Sequence, residues 1–328
     1  MTTFEFLSYL KTLDVEVWAD GDRLRCNGPS AVLTAELQQQ ISRRKADILH
    51  FLRAAKTQIH VASSLIPLQS EGSSPPFFGV PGHNGDVFCF LPLAQCLGPE
   101  QPFYGLQPPG TDGKREPLTK VEELAAYFVN DIRKHQPKGP YLLGGYCLGG
   151  ICAFEIAQQL QSAGQEVALL ALFGTTCPTA LTLLHRVFVA VRHAVGRTRK
   201  LVHTLWQLSL RDKTHYLFDK AKERQVEREK LALMLAHNPH RPKVEQATVK
   251  AVRRYKPGMY SDRITVFLAN HNPANLWDDG LLEWKNLTTG RFESEAGPPD
   301  CTGDTMLREP HVKIFAELLR SRIKLVQK

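Results

Sequence analysis

Gly144-Gly145-Tyr146-Cys147-Leu148-Gly149-Gly150 follows an apolar run from Pro140 and precedes "ICAFEIAQQL" (151–160), which has the spacing of an amphipathic helix. A nucleophile held as Gly145-x-Cys147-x-Gly149 between a strand and a helix is the pattern of a nucleophile elbow. The small flanking residues let the chain turn sharply and leave the central side chain exposed at the end of a sheet. Here that side chain is a thiol. Helix N–H groups beside a thiol favour its ionised form, so the pattern predicts that part of Cys147 is thiolate at neutral pH. The plainer alternative is a buried cysteine in a Gly-rich turn, with Gly149 and Gly150 present only for packing.

An elbow of this type works with two backbone donors, the N–H after the nucleophile and one from the loop after an earlier strand. The first is Leu148. The second is offered by Pro81-Gly82-His83-Asn84-Gly85, which follows the apolar run "FFGV" (77–80) and makes the His83 N–H the partner. That position puts the His83 imidazole at the rim, as a base or as a solvated loop histidine.

Outward from the elbow, short apolar runs alternate with longer helical segments: "FYGL" (103–106), "VEELAAYFVNDIRKH" (121–135), "VALLALFG" (167–174), "RITVFLA" (263–269) and a last helix from Glu309 to Val326. This rhythm predicts an α/β domain with a mostly parallel sheet covered on both faces. Residues 1–57 look self-contained. Phe4, Phe6, Leu7, Leu10 and Leu13 predict a first helix, and alternation on either side of Asp20-Gly21-Asp22 predicts a hairpin. Leu33, Leu37, Ile41, Ile48, Leu49 and Leu52 predict more helix. Residues 58–76, polar and rich in proline and serine, read as a linker into a second domain over 77–328.

The chain has 328 residues, 43% hydrophobic and 23% charged, which suits one large core and a small extra domain. The N-terminus lacks the features of a signal peptide and no window is apolar enough to span a bilayer. Seven cysteines without a CxxC pair argue against a disulfide framework or a zinc knuckle, and a reducing cytoplasm is expected. His237 and His240 lack an evident third ligand, so no metal is expected. Of the +8 net charge, the source is local: residues 179–256 hold 18 Lys and Arg against 6 Asp and Glu. That stretch has no nucleic-acid-binding motif, and its charges alternate with Leu, Val and Trp206 as on amphipathic helices. Neither nucleic acid nor a membrane is expected as a partner.

From about Leu65 to Val326 the sequence resembles the thioesterase domains of non-ribosomal peptide and polyketide assembly lines, which have the α/β-hydrolase fold. The residues that carry this are "QPFYGLQPPG", "GPYLLGGYCLGG", "CAFEIAQQLQSAGQEVALLALF" and "TMLREPHV". The resemblance implies a helical lid over about 179–256 and a substrate carried as an acyl or peptidyl thioester on the phosphopantetheine of a carrier protein, with no cofactor of the chain's own. Residues 1–57 resemble TubC-type docking domains. This implies that the C-terminal tail of an upstream synthetase adds along the hairpin edge.

The triad implied by the family departs at all three places. Cys147 stands for the serine, Gly174 for the aspartate after the next strand, and Gly303 for the histidine before the last helix. His311 falls at the start of that helix, away from the nucleophile. Two groups could restore a base: His271, at the end of a strand where many α/β-hydrolases keep their acid, or as a plain surface histidine; and Asp304, facing the site or capping a turn. Losing a positioned base costs about 10²–10⁴-fold in rate, and water depends on that base more than an amine or thiol does. Exchange of one thioester for another is near isoenergetic. The sequence therefore points to an acyl-processing enzyme that passes its acyl group to an amine, a thiol or water, with amine or thiol favoured, or else to a catalytically silent docking module. A basic lid also suits an acidic carrier protein.

Overall fold

The computed structural model describes residues 63–178, 240–270 and 280–327, and from the N-terminal segment residues 6, 10, 13, 15–21, 23–29, 32–46 and 48–49. Most of the segment read as a lid, 179–239, and the stretch containing His271 lie outside the described residues.

The N-terminal segment forms a hairpin of β1 (Glu16–Asp20) and β2 (Arg23–Asn27), antiparallel with Asp20 opposite Arg23. Its tight turn contains Gly21 at φ 58°, a left-handed conformation that glycine adopts without steric cost. Helix α1 (Ala35–Arg43) starts at Thr34, whose hydroxyl oxygen accepts from the Leu37 N–H at 3.3 Å, an N-cap worth about 1 kcal/mol. Phe6, Leu10, Val15, Leu37, Ile41 and Ile48 form a small core of their own, with the Arg44 guanidinium 4.9 Å above the Phe6 ring.

The larger part is a seven-stranded sheet in the order β3 (Leu65–Gln69), β5 (Phe103–Leu106), β4 (Phe77–Val80), β6 (Tyr141–Tyr146), β7 (Val167–Phe173), β8 (Ile264–Leu268) and β9 (Phe292–Ala296). Every pair is parallel except β3 with β5. The reason is legible residue by residue. Along β7, Leu170 and Leu172 enter one core, whereas Leu169, Ala171 and Phe173 enter the other, and Leu142 and Leu143 divide the same way on β6. Side chains with a period of two and apolar on both faces require cover on both faces. Helices α3 (Val121–His135), α4 (Gly149–Ser162) and α5 (Arg241–Arg254) supply one cover, α2 (Leu91–Leu97) and α6 (Val312–Val326) the other.

Two elements correct the sequence reading. Leu65–Gln69, taken as part of the linker, is edge strand β3, with Ile66 and Leu68 buried. Pro67 and the surrounding polar residues suggested a linker, yet proline is tolerated on an edge strand because no ladder hydrogen bond need be made there. The closing edge strand, β9, carries the sequence FESEA and had no apolar run to announce it. Its Glu293 is paired instead, with Arg322 of α6 at 2.9 Å and Arg291 at 2.6 Å.

Candidate active site

The site sits where β4, β6 and β7 end. Cys147, between β6 and α4, has φ 52°, the one positive φ at a non-glycine among the described residues. Such a conformation costs about 1–3 kcal/mol and persists only where the surroundings impose it. Those surroundings are steric. A Cβ on Gly145 would lie 2.4 Å from Gly150 Cα, and one on Gly149 would lie 2.0 Å from the Pro81 carbonyl oxygen. The Cys147 N–H donates to the Phe173 carbonyl at 2.9 Å, and the Cys147 carbonyl accepts from the Gly150 N–H at 3.2 Å. The turn is thereby tied to β7 and to the first turn of α4.

The thiol is half-buried. Burial pushes its pKa up, the Leu148 N–H hydrogen bond pulls it down, and the Asp304 charge pushes it up again, with burial the largest effect and the net shift upward. This overturns the expectation of a partly ionised Cys147. The helix amide is present, as the elbow pattern requires, but desolvation of the sulfur outweighs it.

The loop after β4 reaches the elbow. A Cβ placed on Gly82 would be 3.8 Å from Cys147 Cβ. The loop is held by the Gly85 N–H donating to the Gly82 carbonyl at 3.0 Å and by the Asn84 and Asp86 side chains accepting from backbone amides. The His83 imidazole faces α5, with Nε2 3.5 Å from Glu245 Oε1, both side chains nearly half exposed.

On the opposite side stands the loop between β9 and α6. The Tyr146 hydroxyl donates to the Gly303 carbonyl at 2.7 Å, fastening this loop to the residue that precedes the nucleophile. The Thr302 N–H donates to Thr305 Oγ1 at 2.9 Å and Asn270 Nδ2 donates to the Cys301 carbonyl at 2.6 Å, which fix the loop further. Asp304 is exposed, and its charge acts on both Cys147 and Tyr146. Gly174 has φ 53°, and a Cβ there would lie 3.2 Å from Met306 Sδ. A Cβ on Gly303 meets no heavy atom within 4 Å among the described residues.

His311 is buried at the start of α6 and pairs with Asp300, Nε2 to Oδ2 at 3.1 Å, which lowers the Asp300 pKa. It takes part in that pair rather than in contacts with the elbow, as its register implies. Of the five residues singled out, Cys147, Leu148 and Asp304 are brought together, His83 comes with its loop but turns its ring to Glu245, and His271 lies outside the described residues. Sequence reasoning missed Tyr146, because nothing local connects its hydroxyl with a carbonyl 157 residues away. Among the described residues no cluster of three or more His, Cys, Asp or Glu could hold a metal ion, and no helix is long and apolar enough to cross a membrane.

Residues 75–301 match the family model described as thioesterase domain, and residues 4–54 match that of the TubC N-terminal docking domain. Malpibaldin synthetase of Mortierella alpina is 36% identical over 142 residues, covering 39% of this chain and 3% of the synthetase. Atromentin synthetase of Tapinella panuoides is 26% identical over 278 residues, covering 79% of this chain and 28% of that protein. The chain thus spans a minor part of the curated relatives it matches. Among solved structures, the Vlm2 thioesterase domain superposes with a TM-score of 0.54 at 23% identity, over 79% of this chain and 96% of its own, and so shares the fold. With more than half of its length matched by the family model, on a parallel sheet whose elbow carries the nucleophile-position residue, the chain belongs to the thioesterase domain family.

Proposed function

We propose that the chain is an acyl-processing enzyme of a non-ribosomal peptide or polyketide assembly line. Cys147 takes an acyl or peptidyl chain from the phosphopantetheine thioester of a carrier protein and passes it to an amine or a thiol in preference to water. The observation that carries this reading is the strained turn at Cys147, held at φ 52° between β6 and the start of α4. Strain of this kind at a nucleophile position is kept where it serves chemistry. In the first step the Cys147 sulfur attacks the thioester carbonyl, the carbon–sulfur bond to pantetheine breaks, and the thiol proton ends on the pantetheine sulfur. The developing oxyanion is held by the backbone N–H groups of Leu148 and His83. His271 and Asp304 are the remaining candidates for moving protons, and His83 joins them if its ring turns from Glu245, 3.5 Å away, toward the elbow.

The names of relatives, malpibaldin synthetase and atromentin synthetase, support this setting. The docking match supports a partner, the C-terminal tail of an upstream synthetase, which adds as a strand to the β1–β2 hairpin. An acidic carrier protein suits the basic segment 179–256. The test is intact-protein mass spectrometry after mixing the full chain with an acyl-loaded carrier. An adduct that maps to Cys147 is expected; no adduct, or one that survives Cys147→Ala, defeats the proposal.

A second reading is a catalytically silent docking module. It is favoured by the upward shift of the thiol and by glycine at both 174 and 303. Alkylation by iodoacetamide across pH separates the two when read with the adduct. A sluggish thiol without an acyl adduct supports the module.

A further inference from the structure

The hydrogen bonds within the 81–86 loop fix its shape, not its place beside Cys147. The Gly85 N–H donates to the Gly82 carbonyl at 3.0 Å and Asn84 Oδ1 accepts from the Asp86 N–H at 3.1 Å, both inside the loop. Its place comes from two walls that close on one glycine. Gly85 has φ 72°, and a Cβ there would lie 2.8 Å from Pro108 Cγ, 3.1 Å from Val244 Cγ1 and 3.2 Å from Thr111 Cγ2. The first wall is the loop after β5. It is tied down by the Gln107 N–H donating to the Ser64 carbonyl at 2.8 Å, by Gln107 Nε2 donating to Thr111 Oγ1 at 2.7 Å, and by that hydroxyl donating to the Pro108 carbonyl at 3.1 Å. The second wall is helix α5. Val244, in its first turn, is 1% exposed, and farther along Thr248, Ala251 and Val252 meet Pro81 and Gly82 around a cavity of about 20 Å³, room for one water. Packing this close passes the loss of a single methyl on to its neighbours.

We infer that Val244 and Thr111 are positioning residues: pressing on Gly85 from two sides, they hold the His83 N–H where it donates to the oxygen of the acyl group under attack by Cys147. This rests on the acyl-transfer reading above. When the sulfur bonds to the carbonyl carbon, the C=O electron pair moves to oxygen. It returns to re-form C=O as the leaving group departs with its own bonding pair, and the thiol proton goes to the leaving group or to solvent. Between those moments the oxygen is stabilised only by donors at about 2.7–3.1 Å, so a small displacement of the loop slows acylation. Alkylation of the same thiol makes no such demand. Iodoacetamide loses iodide from a saturated carbon as the sulfur bonds to it, and no oxyanion forms. The ratio of the two rates therefore reads the loop separately from the thiol.

The full-length protein and its variants are treated with p-nitrophenyl hexanoate and, separately, with iodoacetamide. Both products are mapped to Cys147 by peptide mass spectrometry, and the acylation rate constant is divided by that of alkylation. Val244→Ala withdraws methyls from Gly85 and should lower this ratio by about 10-fold, a fraction of the loss of about 10²–10³-fold that removing a whole oxyanion donor causes. Thr111→Ser withdraws one methyl from the other wall while keeping the hydroxyl, and should lower it by about 3-fold. Val244→Thr keeps the branched shape but buries a hydroxyl, so it should lose stability in urea unfolding while its ratio stays within about 2-fold of wild type. Wild-type ratios in both Val244→Ala and Thr111→Ser, or a Val244→Thr ratio as low as that of Val244→Ala, overturn the assignment. Wild-type protein that is alkylated at Cys147 but never acylated defeats the acyl-transfer reading and this inference with it; acylated wild type with unresponsive variants defeats the positioning role alone.

Discussion

The two sides of the sulfur follow opposite rules. On the β4 and α4 side, every feature a nucleophile elbow needs is enforced by sterics: Gly145 and Gly149 have no room for a Cβ, and Cys147 is forced into the left-handed region. On the side of β7 and the last loop, the two places at which the resemblance implies a carboxylate and an imidazole are glycines, and around Gly303 no described heavy atom lies within 4 Å of where a Cβ would stand. Among the described residues the turn that would position a nucleophile is built in full, whereas glycines stand at both 174 and 303. That asymmetry is what the proposed preference for an amine or thiol over water rests on.

Removing the strained nucleophile is the most severe way to break the comparison. Cys147→Gly should abolish the acyl adduct in mass spectrometry yet raise stability by about 1 kcal/mol in urea unfolding, since glycine adopts this φ freely. Loss of adduct together with loss of stability would mean that the strain is not where the structure puts it. Next in size, Gly303→His sharpens the contrast by adding a base to the empty side: decay of the acyl enzyme in water should rise by about 10²-fold, measured as single-turnover loss of acyl mass. Tyr146→Phe unties the two sides from one another and should cost about 1 kcal/mol in stability, with a matching rise in the unfolding rate. The smallest effect is expected at Glu245→Gln, where the half-exposed side chain lies 3.5 Å from His83 and should change stability by at most about 0.5 kcal/mol in urea unfolding.

The pH profile tests the electrostatic half of the comparison. Burial and the Asp304 charge both disfavour thiolate at Cys147. Its folded pKa therefore lies above the ordinary value, the thiolate fraction at a given pH is smaller, and alkylation should reach its midpoint at higher pH than for a small-molecule thiol. Asp304→Asn removes one upward push and should move that midpoint down. A midpoint below that of the free thiol would contradict the structure and restore the activated cysteine suggested by the sequence.

Much of the fold was legible because its causes are local. The helix over Val121–His135 and the strand over Tyr141–Tyr146 follow from side-chain periods of 3.6 and two, and Asp20-Gly21 announces its hairpin. Edge strands were the failures. Leu65–Gln69 carries a proline and FESEA at β9 is mostly polar, and each becomes a strand only because a neighbour offers a ladder of hydrogen bonds. At the site, Cys147, Leu148 and the 81–85 loop could be named from spacing alone, whereas Glu245 beside His83 and Tyr146 beneath Gly303 come from contacts distant in sequence.

What the sequence determined by itself is the turn: glycines at 145 and 149 stand where any Cβ would lie within 2.6 Å of neighbouring backbone, and their spacing dictates which residue is thrust out. What only the tertiary structure decided is the state of that residue. A helix amide and a buried environment pull a thiol in opposite directions, and their balance depends on how deeply β4, β6, β7 and the last loop enclose the sulfur. Enclosure is a sum over contacts between segments far apart in the chain, so no local pattern encodes it.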